Sequence, residues 1–248
     1  MNDKLILIAG PCVVESYELL EQTAGVLMAA CVGKDIDFIF KSSYKKANRT
    51  SKDSFTGIGD EKALGYLAEI RKKFGVRVLT DVHTADEARM AAEYTDILQI
   101  PAFLCRQTDL LQAAADTGRT VNIKKGQFMA PDSMKAAAEK ASGRGNGEIW
   151  LTERGASFGY HDLVVDYRSL VIMRSFGYPV IFDATHSVQK PSAGAQSGGS
   201  PEFVFPLARA AAAAGVDGIF FETHPEPHKA LSDAATQLPL AKIGRAHV

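Results

Sequence analysis

Val180-Ile-Phe-Asp-Ala-Thr-His186 carries three apolar residues straight into an acid and, three positions on, a histidine. A strand long enough to be buried ends there, and residues able to do chemistry begin. The same event occurs eight times along the 248 residues. The other apolar runs are Leu5–Ile8, Ile36–Phe40, Val76–Leu79, Ile97–Ile100, Thr120–Ile123, Ile149–Leu151 and Gly218–Phe221. They end at Cys12, at Lys41, at Asp81, at Gln99 with Pro101, at Lys124–Lys125, at Glu153–Arg154 and at Glu222 with His224. Buried parallel strands read as continuous apolar runs, because helices cover one face and a core fills the other. Helix-like stretches lie between them at Glu15–Ala30, Asp60–Phe74, Ala85–Tyr94, Gln107–Thr117, Ser133–Ala141, Tyr167–Phe176 and Pro201–Ala214. Ser200, Thr84 and Asp132 are the candidate N-caps. Strictly alternating strands and helices predict an α/β fold, a (β/α)8 TIM barrel, whose active site is assembled at the C-terminal ends of the strands.

Size and composition agree with one barrel domain. A net charge of −1 offers no broad field for nucleic acid or an anionic membrane. No apolar stretch approaches the roughly 20 residues of a membrane span, and Leu5–Ala9 is too short for a signal-peptide core. Three cysteines argue against a disulfide framework and for a reducing cytoplasm. Ser142–Gly147 reads as a turn on the face opposite the site, and Ala193–Ser200 as a candidate mobile lid after strand seven. The single domain is expected over residues 1–242. Leu238–Ile243 begins an eighth helix that the sequence leaves largely missing, and residues 243–248 read as a non-native tail.

Cys12, His186, Glu222 and Asp233 follow strands one, seven, eight and eight. Strand eight neighbours strand one in a closed barrel, so all four fall on one arc of the rim. Any one of them alone reads as a core filler, a loop residue or a cap. Together, a thiolate, an imidazole and two carboxylates suit a divalent ion such as Zn²⁺, Fe²⁺ or Mn²⁺. Cys31 lies far from any strand tip, Cys105 has no evident partner, and His83 and His224 flank the rim. His161, His228 and His247 have no role.

Lys41 to Lys52 places five cations in the loop after strand two without one acid. Alone this is a solvated basic loop. Arg106, Lys124, Lys125 and Arg154 occupy other strand tips, however, and only the fold can bring these together, as a phosphate or carboxylate site requires.

Ile8-Ala-Gly-Pro-Cys-Val-Val-Glu-Ser16, Phe40-Lys-Ser-Ser43, Lys46-Ala-Asn-Arg49, Gln99 to Asp109, Asn122 to Gln127, Leu151 to Gly155, Asp183 to Gln189, Phe221 to Pro227 and Ala230-Leu-Ser-Asp233 resemble the 3-deoxy-D-manno-octulosonate 8-phosphate synthases over nearly the whole chain. The resemblance implies condensation of phosphoenolpyruvate with D-arabinose 5-phosphate, in the branch that carries Cys at the first metal position. It implies that Lys46, Lys124 and Arg154, with Lys41 nearby, bind phosphoenolpyruvate. Asn48 and Arg49, with Thr50 adjacent, fall on the pentose phosphate side. Arg106 is contributed by a neighbouring subunit, which implies a homotetramer. Lys46, Asn48, Asp81 and His186 are the catalytic candidates, and Asp81, Gln99 and Gln189 are hydrogen-bonding positions. Thr50 stands where Ser is usual. The related 3-deoxy-D-arabino-heptulosonate 7-phosphate synthases share the metal ligands but resemble Lys-Pro-Arg-Thr where this chain has Lys46-Ala-Asn-Arg49. A barrel that only binds these ligands is the non-catalytic alternative.

Overall fold

The computed structural model describes residues 4–47, 54–143, 147–190 and 198–246, with side chains to 243. Eight parallel strands form the frame: β1 (Leu5–Gly10), β2 (Ile36–Lys41), β3 (Arg77–Asp81), β4 (Ile97–Ile100), β5 (Thr120–Lys124), β6 (Ile149–Glu153), β7 (Val180–Asp183) and β8 (Gly218–His224). Each pairs with the next, and β8 pairs back to β1 through Gly10 opposite Glu222, so the sheet closes. The helices between them are α1 (Tyr17–Cys31), α2 (Asp60–Phe74), α3 (Ala85–Ala91), α4 (Thr108–Asp116), α5 (Met134–Ser142), α6 (Arg168–Arg174) and α7 (Val204–Ala213). The (β/α)8 expectation holds. None of these helices is long and apolar enough to cross a membrane.

Strand side chains alternate between two cores. Ile6, Ile8, Ile39, Leu79, Ile97, Trp150, Ile181 and Phe220 fill the barrel interior as a small separate cluster. Their neighbours Leu7, Phe40, Val78, Leu98, Val121, Leu151, Phe182 and Phe221 face outward into the larger core beneath the helices. Period two then dictates the floor of the site. Two residues beyond an interior apolar residue, the next inward position is Lys41 after Ile39, Asp81 after Leu79, and Gln99 after Ile97. The same step gives Thr152 after Trp150, Asp183 after Ile181, and Glu222 after Phe220. All six are buried.

Caps set the helix starts. Ser16 Oγ accepts from Leu19 N at 3.2 Å to open α1, and Thr84 Oγ1 accepts from Glu87 N at 3.2 Å to open α3. Asp132 is not a cap: Pro131 initiates a 3₁₀ turn, Pro131–Ser133, which moves the start of α5 to Met134. Ser200 precedes a similar turn, Pro201–Phe203, and makes no side-chain cap bond. Sequence patterning did not foresee a small hairpin between β6 and β7, Ala156–Phe158 against Asp162–Val164. Residues 193–197 of the expected lid lie outside the described residues; Gly198–Gly199 pair antiparallel with Gln189–Lys190. The stretch expected to begin an eighth helix instead adds Leu238–Pro239 beside β8 and continues as a 3₁₀ helix, Leu240–Ala246. Leu238, Leu240 and Ile243 are buried in the outer core.

Candidate active site

The Cys12 thiol, the Glu222 carboxylate and the Asp233 carboxylate each offer an atom within 4.8 Å of the other two. Cys12 Sγ is 3.4 Å from Asp233 Oδ2. His186 Nε2 lies 3.7 Å from Glu222 Oε2 and 3.9 Å from Asp233 Oδ2. Ligand bonds of about 2.0–2.3 Å place the donors of one tetrahedral ion roughly 3–4 Å apart, and the Cys12–Asp233, His186–Glu222 and His186–Asp233 separations fall in that range. A second observation bears on the fit. Glu222 Oε2 is buried and has no hydrogen-bond partner among the described residues, whereas Oε1 takes the Lys41 ammonium at 2.5 Å. A buried carboxylate oxygen left bare is costly unless something positive meets it. Cys12, Glu222 and Asp233 therefore fit a divalent transition ion, with His186 beside both carboxylates.

The surroundings hold these donors in place. Asp233 has φ +48°, in the left-handed region, and no other described non-glycine residue has positive φ. Ser232 Oγ is 3.1 Å from Cys12 Sγ, and Gln237 accepts from Cys12 N at 3.2 Å while donating to Ser232 O at 2.8 Å. Burial and the adjacent charge of Glu222 push the Cys12 thiol well above its ordinary range. Only a cation would make the thiolate favourable there.

Beside this group lies a cluster of cations. Lys41 Nζ also donates to Cys12 O at 3.0 Å, so it joins the metal group to the anion side. Lys46 Nζ donates to Ser43 Oγ at 2.9 Å and stands 3.9 Å from Asp81. Lys124 pairs with Asp183 and sits 3.8 Å from the centre of the Phe220 ring. Arg154 Nη2 donates to His186 O at 3.1 Å and to Gln189 Oε1 at 2.8 Å. Burial lowers the Lys124 and Arg154 values from their usual ranges, partly offset by Asp183. Lys41, Lys46, Lys124 and His186 together hold the Glu222 carboxyl well below the usual carboxylate range, against the opposing effect of its burial. The two constellations are thus one electrostatic site.

A polar chain crosses the barrel under the cations. Ser43 Oγ donates to Asp81 Oδ2 at 2.7 Å and Gln99 Nε2 to Asp81 Oδ1 at 2.5 Å. Asn122 Nδ2 donates to Gln99 Oε1 at 3.0 Å, and Thr152 Oγ1 to Asn122 Oδ1 at 2.6 Å. Burial would raise the Asp81 carboxyl, but Lys41 and Lys46 outweigh it and hold it at about 2. Asp81 therefore serves as an anion at neutral pH, not as a proton donor.

Asn48, Arg49 and Thr50 lie outside the described residues, as does His247. Arg106 is exposed after β4, and its carbonyl accepts from Lys140 Nζ at 3.3 Å. His83 belongs to a neighbouring network, bonded to Glu87 at 2.8 Å. Asp183, Ser232 and Gln237 take part in the site although sequence reasoning gave them no role. Asp183 ends an apolar run and so carried a signal; Ser232 and Gln237 carried none beyond proximity to Asp233.

A second concavity, about 1140 Å³, opens at the opposite end of the barrel. Two ion pairs line it, Arg77 with Asp37 at 2.5 Å and Arg174 with Asp217 at 3.0 Å. It lacks the converging like charges of the C-terminal rim.

Residues 1–247 match the model of the DAHP synthetase I family. A 2-dehydro-3-deoxyphosphooctonate aldolase of Trichlorobacter lovleyi is 55% identical over 240 residues, covering 96% of this chain and 88% of that protein. A protein of the same name from Koribacter versatilis is 57% identical over 241 residues, covering 96% and 86%. Another from a Geobacter species is 56% identical over 237 residues, covering 95% and 87%.

Proposed function

The chain belongs to the DAHP synthetase I family, and on that premise we propose that it condenses phosphoenolpyruvate with D-arabinose 5-phosphate. The products are 3-deoxy-D-manno-octulosonate 8-phosphate, a lipopolysaccharide precursor, and inorganic phosphate. The observation that carries this reading is the adjacency, on one barrel rim, of the Cys12, Glu222 and Asp233 donors, with His186 beside them, and of the cations Lys41, Lys46, Lys124 and Arg154. Relatives above 50% identity named for the octonate enzyme favour it over the heptulosonate reaction, as does Lys46-Ala-Asn-Arg49.

In the reaction, carbon 3 of phosphoenolpyruvate bonds to the sugar aldehyde carbon while water supplies a new oxygen at carbon 2. The bond between carbon 2 and the phosphate oxygen then breaks. Positive charge develops at carbon 2, so both anionic groups of phosphoenolpyruvate need fixed positions. Lys46, half-buried, and Lys124 and Arg154, both buried, would supply them, each cation being held by a neighbour. Asn48, Arg49 and Thr50 take the pentose phosphate, with Arg106 reaching in from a neighbouring subunit. Asp81, fixed as an anion and hydrogen-bonded to Gln99, orients Lys46 through Ser43. Cys12, His186, Glu222 and Asp233 hold a divalent ion, which supplies Lewis-acid polarisation when bound.

The homotetramer is supported by aromatic residues exposed on the same rim. Phe103 follows β4, Phe128 follows β5, and Phe158 lies in the hairpin after β6; they are 59%, 58% and 70% exposed. Exposed aromatic clusters mark interaction surfaces. Three free cysteines favour the cytoplasm.

Purified protein supplied with both substrates should release phosphate, and omission of either substrate should stop the release. No release in the presence of both substrates and Zn²⁺, Fe²⁺ or Mn²⁺ would leave a barrel that binds its ligands without turnover.

A further inference from the structure

We propose that Asp183 is the positioning residue that joins the metal group to the phosphoenolpyruvate-binding cations, an inference that rests on the metal-dependent reading above. It is fully buried at the end of β7. Its Oδ2 meets His186 Nδ1 at 2.8 Å and also takes the Lys124 ammonium. Its Oδ1 accepts from Thr185 N at 3.1 Å and His186 N at 2.8 Å.

An ionised carboxylate has no proton to donate, so His186 Nδ1 must be the donor in this pair. That fixes Nδ1 as the protonated nitrogen and leaves Nε2 as the one directed at Glu222 and Asp233. The Phe220 ring packs against both partners, 5.8 Å from the His186 ring centre and 3.8 Å from Lys124 Nζ. One oxygen thus sets the imidazole for the ion and supplies the counter-charge for a buried lysine at the anion site. A residue serving only to cap the turn His186–Val188 would need Oδ1 alone.

Asp183→Asn separates the two accounts. The amide oxygen can still accept from both backbone N–H groups. The amide NH₂ in place of Oδ2 presents a donor to His186 Nδ1 and Lys124 Nζ, which favours the wrong tautomer and removes the lysine's counter-charge.

Co²⁺ binding to the full chain, followed by the thiolate-to-cobalt absorption from Cys12, should weaken by about 10–100-fold in Asp183→Asn. At saturating Co²⁺ the variant's KM for phosphoenolpyruvate should rise while that for the sugar holds. Unchanged Co²⁺ affinity, or an unchanged phosphoenolpyruvate KM, overturns the joint role. Should the variant fail to fold, wild-type protein loaded with Zn²⁺ gives the answer by nitrogen NMR of His186. A ring protonated at Nδ1 and bound through Nε2 supports the proposal, and binding through Nδ1 overturns it. A wild-type chain that binds no Co²⁺ at all refutes the metal-dependent reading and, with it, this inference; a wild type that binds while Asp183→Asn binds equally well refutes the inference alone.

Discussion

The Cys12 thiol and the Asp233 carboxylate stand 3.4 Å apart across 221 positions of sequence. Barrel closure brings them together: β1 and β8 pair along their length, and both residues lie beyond the C-terminal ends of those strands. The protonated thiol donates to that carboxylate, and a divalent ion bound there would take the place of the proton.

On the proposed reading, metal removal should abolish turnover. A strong chelator should reduce phosphate release to background, and Zn²⁺, Fe²⁺ or Mn²⁺ should restore it. His186→Ala should cost far more activity than His161→Ala. Full activity in protein verified free of metal refutes this expectation.

The backbone at Asp233 separates function from stability. An alanine held at φ +48° costs about 1 kcal/mol more than a glycine there. Asp233→Gly and Asp233→Ala should both lose metal binding, while Asp233→Gly remains the more stable by about 1 kcal/mol in metal-free urea denaturation. Equal stabilities would mean that the backbone conformation relaxes when the carboxylate is gone.

The barrel and most of its rim were legible in the sequence for one physical reason. A buried strand must be apolar for as long as it faces a core, so the first inward polar residue marks its C-terminal tip. That argument located Lys41, Asp81, Gln99 and Glu222. It could not assign partners. Asp183 is an acid at a strand end like Asp81, and only the fold shows that it meets both His186 and Lys124. Gln237 was illegible because its bond to Cys12 N spans 225 positions, through a short irregular segment with no periodicity to read. The hairpin after β6 escaped notice because its strands are three residues each and largely exposed.

On the proposed reading, substrate choice should follow the Lys46–Arg49 loop. Arabinose 5-phosphate should be turned over well and erythrose 4-phosphate poorly. If Arg49 binds the pentose phosphate as proposed, Arg49→Ala should cost a charge-assisted contact of about 1.5–3 kcal/mol, and the sugar KM should rise roughly 10–100-fold. The phosphoenolpyruvate KM should change much less. Better use of erythrose 4-phosphate transfers the assignment to the heptulosonate reaction.

Asp81 makes a defined contribution to acid stability. Its folded pKa, about 2, lies below the ordinary value of 3.8. A depressed carboxylate stabilises the fold above its unfolded pKa and loses that contribution as pH falls through the folded one. The window is thus pH 4 down to about 2, and the amount is roughly 2 kcal/mol. The stability gap between wild type and Asp81→Asn should narrow by that amount across the window. A gap constant with pH would show that Asp81 is not held as an anion.

Gly10 is the last residue of β1, paired with Glu222 and packed against the backbone of Lys41. A methyl group there would lie 1.9 Å from the Lys41 carbonyl oxygen and 2.9 Å from its carbon. Backbone atoms cannot swing aside as a flexible side chain can, so β1 and β2 must separate at their tips. Overpacking of this kind costs about 1–3 kcal/mol, and with main chain as the obstacle the upper end is expected. The displacement acts directly on the ion pair between Lys41 and Glu222 and on the Cys12 carbonyl that Lys41 also holds. Gly10→Ala should therefore lower both thermal stability and metal affinity. Gly33→Ala is the control for stability alone: its added carbon meets nothing within 4 Å, so only its positive φ is strained. A Gly10→Ala protein with native metal affinity would show that the rim tolerates separation of its first two strands.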